Sequence, residues 1–159
     1  MILLPPPYLH SPPYNEVDTF SALMDLYESN YINMRRLLPA IPTKPVDLVS
    51  RIPGNLDLHL GFIERFRYTS ELSLTYRFVQ HGEIFAEPDL RIRIYHDARL
   101  AEVLTAHLRH LPGFDAELPA THQAADRLWL YRRWKINRFL FKWLHYCLRQ
   151  GHRFTELPS

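Results

Sequence analysis

Glycine is scarce in this chain, with five residues in 159. No Gly-x-Gly-x-x-Gly run, Walker-type loop or Gly-x-Ser-x-Gly turn can be built from them. That excludes the usual phosphate cradles of dinucleotide and P-loop enzymes and the nucleophile elbow of the α/β-hydrolases. Cysteine is scarcer still, since Cys147 stands alone. One thiol makes neither an internal disulfide nor a thiolate zinc cluster. Its place in an apolar stripe predicts a buried, inert side chain. No stretch approaches the ~20 apolar residues needed to cross a bilayer. Met1-Ile2-Leu3-Leu4 has neither the basic flank nor the length of a signal peptide, so a cytoplasmic location is expected. Excess charge of one sign is missing too: 19 Lys and Arg face 17 Asp and Glu, a net +2. The whole chain is no polycation, and any case for an anionic partner rests on local patches. His107 and His110, with His122 nearby, have no Cys pair or His-Glu-x-x-His arrangement beside them. We therefore expect no metal and no cofactor.

What the chain does have is apolar content, 47%, with 13% aromatic. That suits a single core built from large rings. Residues 1–15 hold five prolines, so they read as an extended arm, and residues 16–159 read as one domain. Leu23, Leu26, Tyr27, Asn30, Tyr31, Met34, Leu37 and Leu38 recur at helical steps, which predicts a helix from about Thr19 to Leu38, stopped by Pro39 and Pro42. The period then changes to two. Leu56, Leu58, Leu60 and Phe62 alternate with polar residues, as do Leu72, Leu74, Tyr76 and Phe78, and Leu90, Ile92 and Ile94. These are half-buried strands. Val46 to Ile52 is a short edge strand, and the segment from Leu100 to Leu108 is read as a strand rather than a helix. The links are short, which implies antiparallel hairpins. A last helix runs from Arg127 to His152, with Gly151 suited to its C-terminal cap. The fold class is α+β: a single antiparallel sheet of four to five strands covered on one face by an N-terminal and a C-terminal helix.

Three groups of residues carry candidate chemistry. The alternation that sends Leu90, Ile92 and Ile94 inward sends Arg91 and Arg93 outward, beside Arg77, with Tyr95 and Arg99 at the rim. Guanidinium forks on one sheet face suit a phosphate or carboxylate, so Arg77, Arg91, Arg93, Tyr95 and Arg99 are the candidate ligand-binding set. The competing reading pairs these arginines across strands with Glu71, Asp57 or Glu64. His96 and Asp97 form the weaker catalytic candidate, an imidazole near a carboxylate at a strand end. A structural turn is favoured there, because Asp is a turn former and neighbouring strand residues point to opposite faces. In the last helix Lys135, Arg138, Lys142 and Arg149 line the side opposite the apolar stripe. This row suits a phosphate backbone with Tyr131 or Trp134 stacking on bases, or it is a solvated face.

Met34-Arg35-Arg36-Leu37-Leu38-Pro39, the segment Arg93-Ile94-Tyr95-His96-Asp97-Ala98-Arg99-Leu100-Ala101-Glu102-Val103, and Ile136-Asn137-Arg138-Phe139-Leu140 running on through Trp143 to Gly151 together resemble the YqiB-like family of small uncharacterised bacterial proteins. The resemblance implies a bacterial, cytoplasmic protein, with a link to nucleotide turnover through neighbouring genes. It supplies no catalytic residues. The expected function is a non-enzymatic binding or adaptor module that meets an anionic small molecule or a protein partner through an Arg-rich surface. A small enzyme acting on a nucleotide or phosphorylated metabolite is one alternative. An RNA-binding protein using the last helix is the other.

Overall fold

A computed structural model describes residues 20–107 and 122–155, leaving aside the side chains of residue 107 and residues 122–126. The proline-rich arm and the loop containing Pro112 and Gly113 lie outside the described residues, as do His110 and the side chains of His107 and His122. The order is α1 (Phe20–Leu37), β1 (Val46–Ser50), β2 (Asp57–Arg65), β3 (Thr69–Gln80), β4 (Glu83–Tyr95), β5 (Leu100–His107) and α2 (His122–Gln150). The five strands form one antiparallel meander in sequence order, β1 to β5. Both helices and all five strands expected from the sequence are present, with β4 starting earlier than Leu90 and α2 earlier than Arg127. No helix among the described residues is long and apolar enough to cross a membrane.

One sheet face is dry. Leu58, Leu60 and Phe62 of β2, Leu72, Leu74 and Tyr76 of β3, Leu90, Ile92 and Ile94 of β4, and Ala101 and Val103 of β5 are all buried. Met34 and Leu37 of α1 and Ile136, Leu140, Trp143, Leu144 and Cys147 of α2 close over them. A smaller cluster joins Leu23, Leu26 and Tyr27 of α1 to Trp134 and Phe141 of α2. Leu56 differs from expectation. It lies outside β2 and is exposed, because β2 and its pairing with β3 begin only at Asp57, opposite Arg77.

The β3–β4 hairpin is longer than the alternation of Leu90, Ile92 and Ile94 suggests. Pairing continues from Arg77↔Ala86 to Gln80↔Glu83, past the ends of β2 and β5. There the two strands form a ribbon of their own, with Phe78 stacked on Phe85 at 5.5 Å. His81 and Gly82 both have positive φ, 53° and 78°. Such a turn matches the right-handed twist of the strands it joins.

Edge strands carry unpaired backbone donors that must be covered or paired. On β5 the cover is α2. The Val103 amide donates to Asn137 Oδ1 at 3.0 Å, and Asn137 Nδ2 donates to the Arg133 carbonyl at 2.8 Å. Asn30 Nδ2 of α1 donates to the Asn137 carbonyl at 3.1 Å. Both asparagines are fully buried. The register shift between Arg91 and Ile92 lies in the same stretch of the β4–β5 ladder.

The end of α2 is set by Gly151, at φ 97°. Its amide donates to the Leu148 carbonyl, and the His152 amide donates to that of Cys147. This is the double closure of a helix ending in a left-handed residue. The chain then turns back, and the Phe154 amide donates to the Leu37 carbonyl of α1. Trp143 meets the Tyr76 ring edge-on at 5.3 Å, in the middle of the layer between helix and sheet. Truncating a large buried aromatic costs roughly 3–5 kcal/mol. We expect Trp143→Ala to lower the melting temperature by roughly 6–20 °C at ~2–4 °C per kcal/mol for this chain length. A melt within a degree or two of wild type would contradict this packing.

Candidate functional site

The outer sheet face is where alternation puts the candidate arginines, and the register fixes their neighbours. Glu71 of β3 is opposite Arg93, and Ser73 is opposite Arg91. Glu71 lies between the two guanidinium groups and serves both. Arg91 donates to its Oε2 at 2.7 Å, and Arg93 donates to its Oε1 at 2.7 and 3.2 Å. The hydrogen bonds from Arg93 and then Arg91 hold the Glu71 carboxyl below the usual carboxylate range. The same contact pushes the Arg93 pKa up.

The network continues toward α2. Tyr95 donates to Glu102 across the β4–β5 pair, and Arg133 of α2 donates to the other Glu102 oxygen at 2.8 Å. Tyr27 of α1 meets the same carboxylate. Burial favours the neutral Glu102 acid, but the Tyr95 hydrogen bond and the Arg133 charge outweigh it and hold its pKa low. Thr75 donates to Asp89, and Arg51 pairs with Asp57. Arg77 is opposite Asp57 in the β2–β3 register. The structure thus brings Arg91, Arg93 and Tyr95 into one network with Glu71 and Glu102. Arg99 is not in that network. It closes the β4–β5 turn in a left-handed conformation, φ 55°, and is exposed.

His96 has a different partner from Asp97. Its Nε2 shares a 2.8 Å hydrogen bond with Ser70 Oγ. Burial, then the charges of Arg65 and Arg35, push its pKa down, so the ring is neutral at pH 7. A serine beside an imidazole has the makings of an activated nucleophile. Ser70, however, has 0% exposure, so no substrate carbon reaches Oγ. The His96 amide also donates to the Tyr68 carbonyl, which ties the β4–β5 turn to the β2–β3 turn. Both bonds hold one end of the sheet together. Cys147 shares a 3.2 Å contact with the Tyr76 hydroxyl, and burial pushes its thiol up to about 12, as its place in the apolar stripe implied.

The α2 row is built differently. Lys135, Arg138, Lys142 and Arg149 lie opposite the side that carries Ile136, Leu140 and Leu144 into the core. They extend over about 21 Å of helix, from Lys135 to Arg149, with His145 in the turn between Lys142 and Arg149. Eight Lys and Arg occur between Arg127 and Thr155, with no Asp or Glu among those residues. Among the described residues the ion pairs are Arg51–Asp57, Arg91–Glu71, Arg93–Glu71 and Arg133–Glu102. Lys135, Lys142 and Arg149 belong to none of them. Lys135 instead sits 6.0 Å from the Tyr131 ring, and Arg138 sits 5.1 Å from Trp134. Burial, then the charge of Arg138, pushes the Lys142 pKa down. Trp134 is itself buried, so it is no stacking platform; Tyr131 and Tyr146 are the exposed rings along this part of the helix. Arg36 of α1 comes close enough to His145 that its charge, after burial, depresses the imidazole pKa. The sequence offers Arg35 and Arg36 as an extension of the row, but not the approach of Arg36 to His145, because helix crossing leaves no mark on periodicity.

Glu71 gives a test of the sheet network. Its folded pKa lies below its unfolded value of about 4.5. The stabilisation is therefore present above that value and is lost as pH falls through the folded pKa. Glu71→Gln should cost roughly 1–3 kcal/mol at pH 7, the range for hydrogen bonds to a charged group. The gap between variant and wild type should close on titration from pH 7 to pH 3. Melts over that range check it, and a constant gap would show that the Glu71 charge is not what stabilises the face.

Comparison with known proteins places the chain beside others of the same kind. It is 32% identical over 134 residues to the uncharacterized protein YqiB of Escherichia coli K12, with 83% of this chain and 90% of that protein covered. The YqiB proteins of the O6:H1 and O157:H7 strains match to the same extent. No solved structure matches. The family model described as protein of unknown function (DUF1249) matches residues 33–153, from the second half of α1 to just past the end of α2, and the chain belongs to that family.

Proposed function

We propose that this protein is a non-enzymatic cytoplasmic binding module whose partner is a polyanion, met along the outer face of α2. The carrying observation is the row Lys135, Lys142 and Arg149, which belong to none of the ion pairs among the described residues, on a stretch from Arg127 to Thr155 without a carboxylate. On the sheet, every arginine that alternation presents beside Glu71 is held by it. On α2, Lys135, Arg138, Lys142 and Arg149 share one face. Repulsion of that kind opposes folding and is relieved by an anionic partner. Phosphate-rich chains release condensed counterions when such a row neutralises them, which makes their binding strong and salt-dependent. Against the small-enzyme alternative built on His96 and Asp97 stands the hydrogen bond that ties the His96 ring to the fully buried Ser70.

A second reading keeps the anion on the sheet face. It is favoured by the Arg91 and Arg93 side chains, which stay 47% and 35% exposed while bound to Glu71 and retain donors that Glu71 does not use. Arg77, Tyr95 and Arg99 would complete that site.

Retention on immobilised heparin, read as the salt concentration of elution, decides between the two faces. The Lys135→Glu, Lys142→Glu, Arg149→Glu triple variant should elute at much lower salt, with its melting temperature within a few degrees of wild type, since these side chains lie on the outer face. Unchanged elution would overturn the α2 reading. Loss of retention in an Arg91→Ala, Arg93→Ala variant, with the triple variant unaffected, would move the site to the sheet.

A further inference from the structure

The cations of α2 do not end at α2. Arg35 and Arg36 stand in the last turn of α1, where Arg36 is exposed and Arg35 donates to the Pro39 carbonyl at 2.9 Å; after burial, the charge of Arg36 depresses His145, and those of Arg65 and Arg35 depress His96 against Asp97. Cations therefore continue from α2 to the last turn of α1, and Arg65, Arg67 and Arg99 stand with Asp97 at the end of the sheet where the His96 amide joins the β4–β5 turn to the β2–β3 turn. The β2–β3 turn at that end reads Arg65-Phe66-Arg67-Tyr68. Phe66 is 46% exposed and Tyr68 is 52% exposed, unusual for two large rings on a tight turn. Arg67 stands 5.1 Å from the Tyr68 ring. The backbone beneath them is fixed: the Phe66 amide donates to the Thr69 carbonyl, and the His96 amide donates to that of Tyr68. Two exposed rings thus stand on a hydrogen-bonded turn beside these cations, with Arg99 exposed on the neighbouring turn.

We infer that the polyanion is single-stranded RNA, its backbone following the α2 cations and the last turn of α1, and its bases stacking on Phe66 and Tyr68. Deepening the α2 reading above, this inference rests on it. Charge alone does not separate a strand from a duplex. The spread of the cations and the rings do. The cations stand on one helix, on the last turn of a second and on a sheet turn, an arrangement that a flexible strand follows and a stiff duplex does not. Exposed rings take unpaired bases, whose faces are covered by their neighbours inside a duplex. RNA offers such bases in loops, bulges and ends, the places where proteins read it. Alternating cation and ring suits this because every base has a stacking face, so affinity does not depend on one sequence.

The experiment is fluorescence anisotropy with the full chain and a labelled 15-nucleotide RNA of mixed sequence. The same sequence as DNA and as an RNA duplex are the other two arms. Single-stranded RNA should bind more tightly than either. A Phe66→Leu, Tyr68→Leu variant keeps apolar bulk and removes the stacking faces. It should bind the strand about tenfold more weakly or worse, by the usual contribution of one to two stacked bases. Its retention on heparin should stay at the wild-type value. Equal or tighter binding of the duplex, tighter binding of the DNA strand, or an unchanged affinity in the Leu variant would each overturn the inference. If the α2 triple variant loses heparin retention while wild type binds no RNA strand, the polyanion reading survives and this one falls. Should the Leu variant fold poorly, Arg67→Glu replaces it, and undiminished RNA affinity there would equally overturn the inference.

Discussion

The arrangement depends on one buried amide. Asn137 takes the Val103 amide of an edge strand, gives to a carbonyl one turn back in its own helix, and offers its own carbonyl to Asn30 of α1. Three elements converge on a group with no access to water. An unpaired buried amide costs more than the bond it makes is worth, so such a group specifies geometry more sharply than apolar contact does. Apolar packing lets α2 slide and rotate over the sheet at small cost. Asn137 allows one height and one rotation. It also removes the exposed donor at Val103, one of the groups that make sheet edges prone to pairing with other chains.

From that placement follows the division of charge. Arg133 is one turn before Asn137 and is thereby set against Glu102 on β5. Glu102 takes Tyr95, and next along the sheet Arg93 and Arg91 converge on Glu71. The acids of the central strands are used inside the fold, where they hold the outer face of the sheet together. On the helix face turned the other way, Lys135, Lys142 and Arg149 belong to none of the ion pairs among the described residues. A chain with net +2 therefore carries one surface close to neutral and another strongly positive, which the average conceals.

Much of this was legible in the sequence, and the reasons differ by element. The strands declared themselves because one face is dry and the other wet, which writes period two directly into the residues. The segment starting at Leu100 was harder. It is an edge strand whose free side is covered by a helix, and the ladder with β4 slips between Arg91 and Ile92, so alternation is broken where the bulge falls. The β3–β4 ribbon was also underestimated. Beyond the sheet neither face is buried, so Val79 and Ile84 have no dry side to alternate with. The candidate arginines were placed correctly on the outer face, and the competing pairing with Glu71 was foreseeable. That one carboxylate would serve two arginines depends on register, which hydrophobic alternation leaves free to slip by two residues. Asn137 was invisible as a structural device, because its partners lie 34 and 107 residues away.

Rigidity connects the core to the surface. The cations of α2 sit on a helix fixed by a buried amide in its middle, by Trp143 against Tyr76, and by the closure at Gly151. A charged row on a loosely docked helix would spread out to reduce its own repulsion. Held in place, Arg138 and Lys142 remain close enough for burial and like charge to depress the lysine. Sites carried on rigid elements lose less freedom when a ligand arrives, so more of the electrostatic attraction appears as affinity. The polar network between the helices and the β5 edge thus has a second consequence. It keeps the cations of the opposite face at fixed spacing, and the repulsion that this costs is the physical reason to expect an anionic partner there.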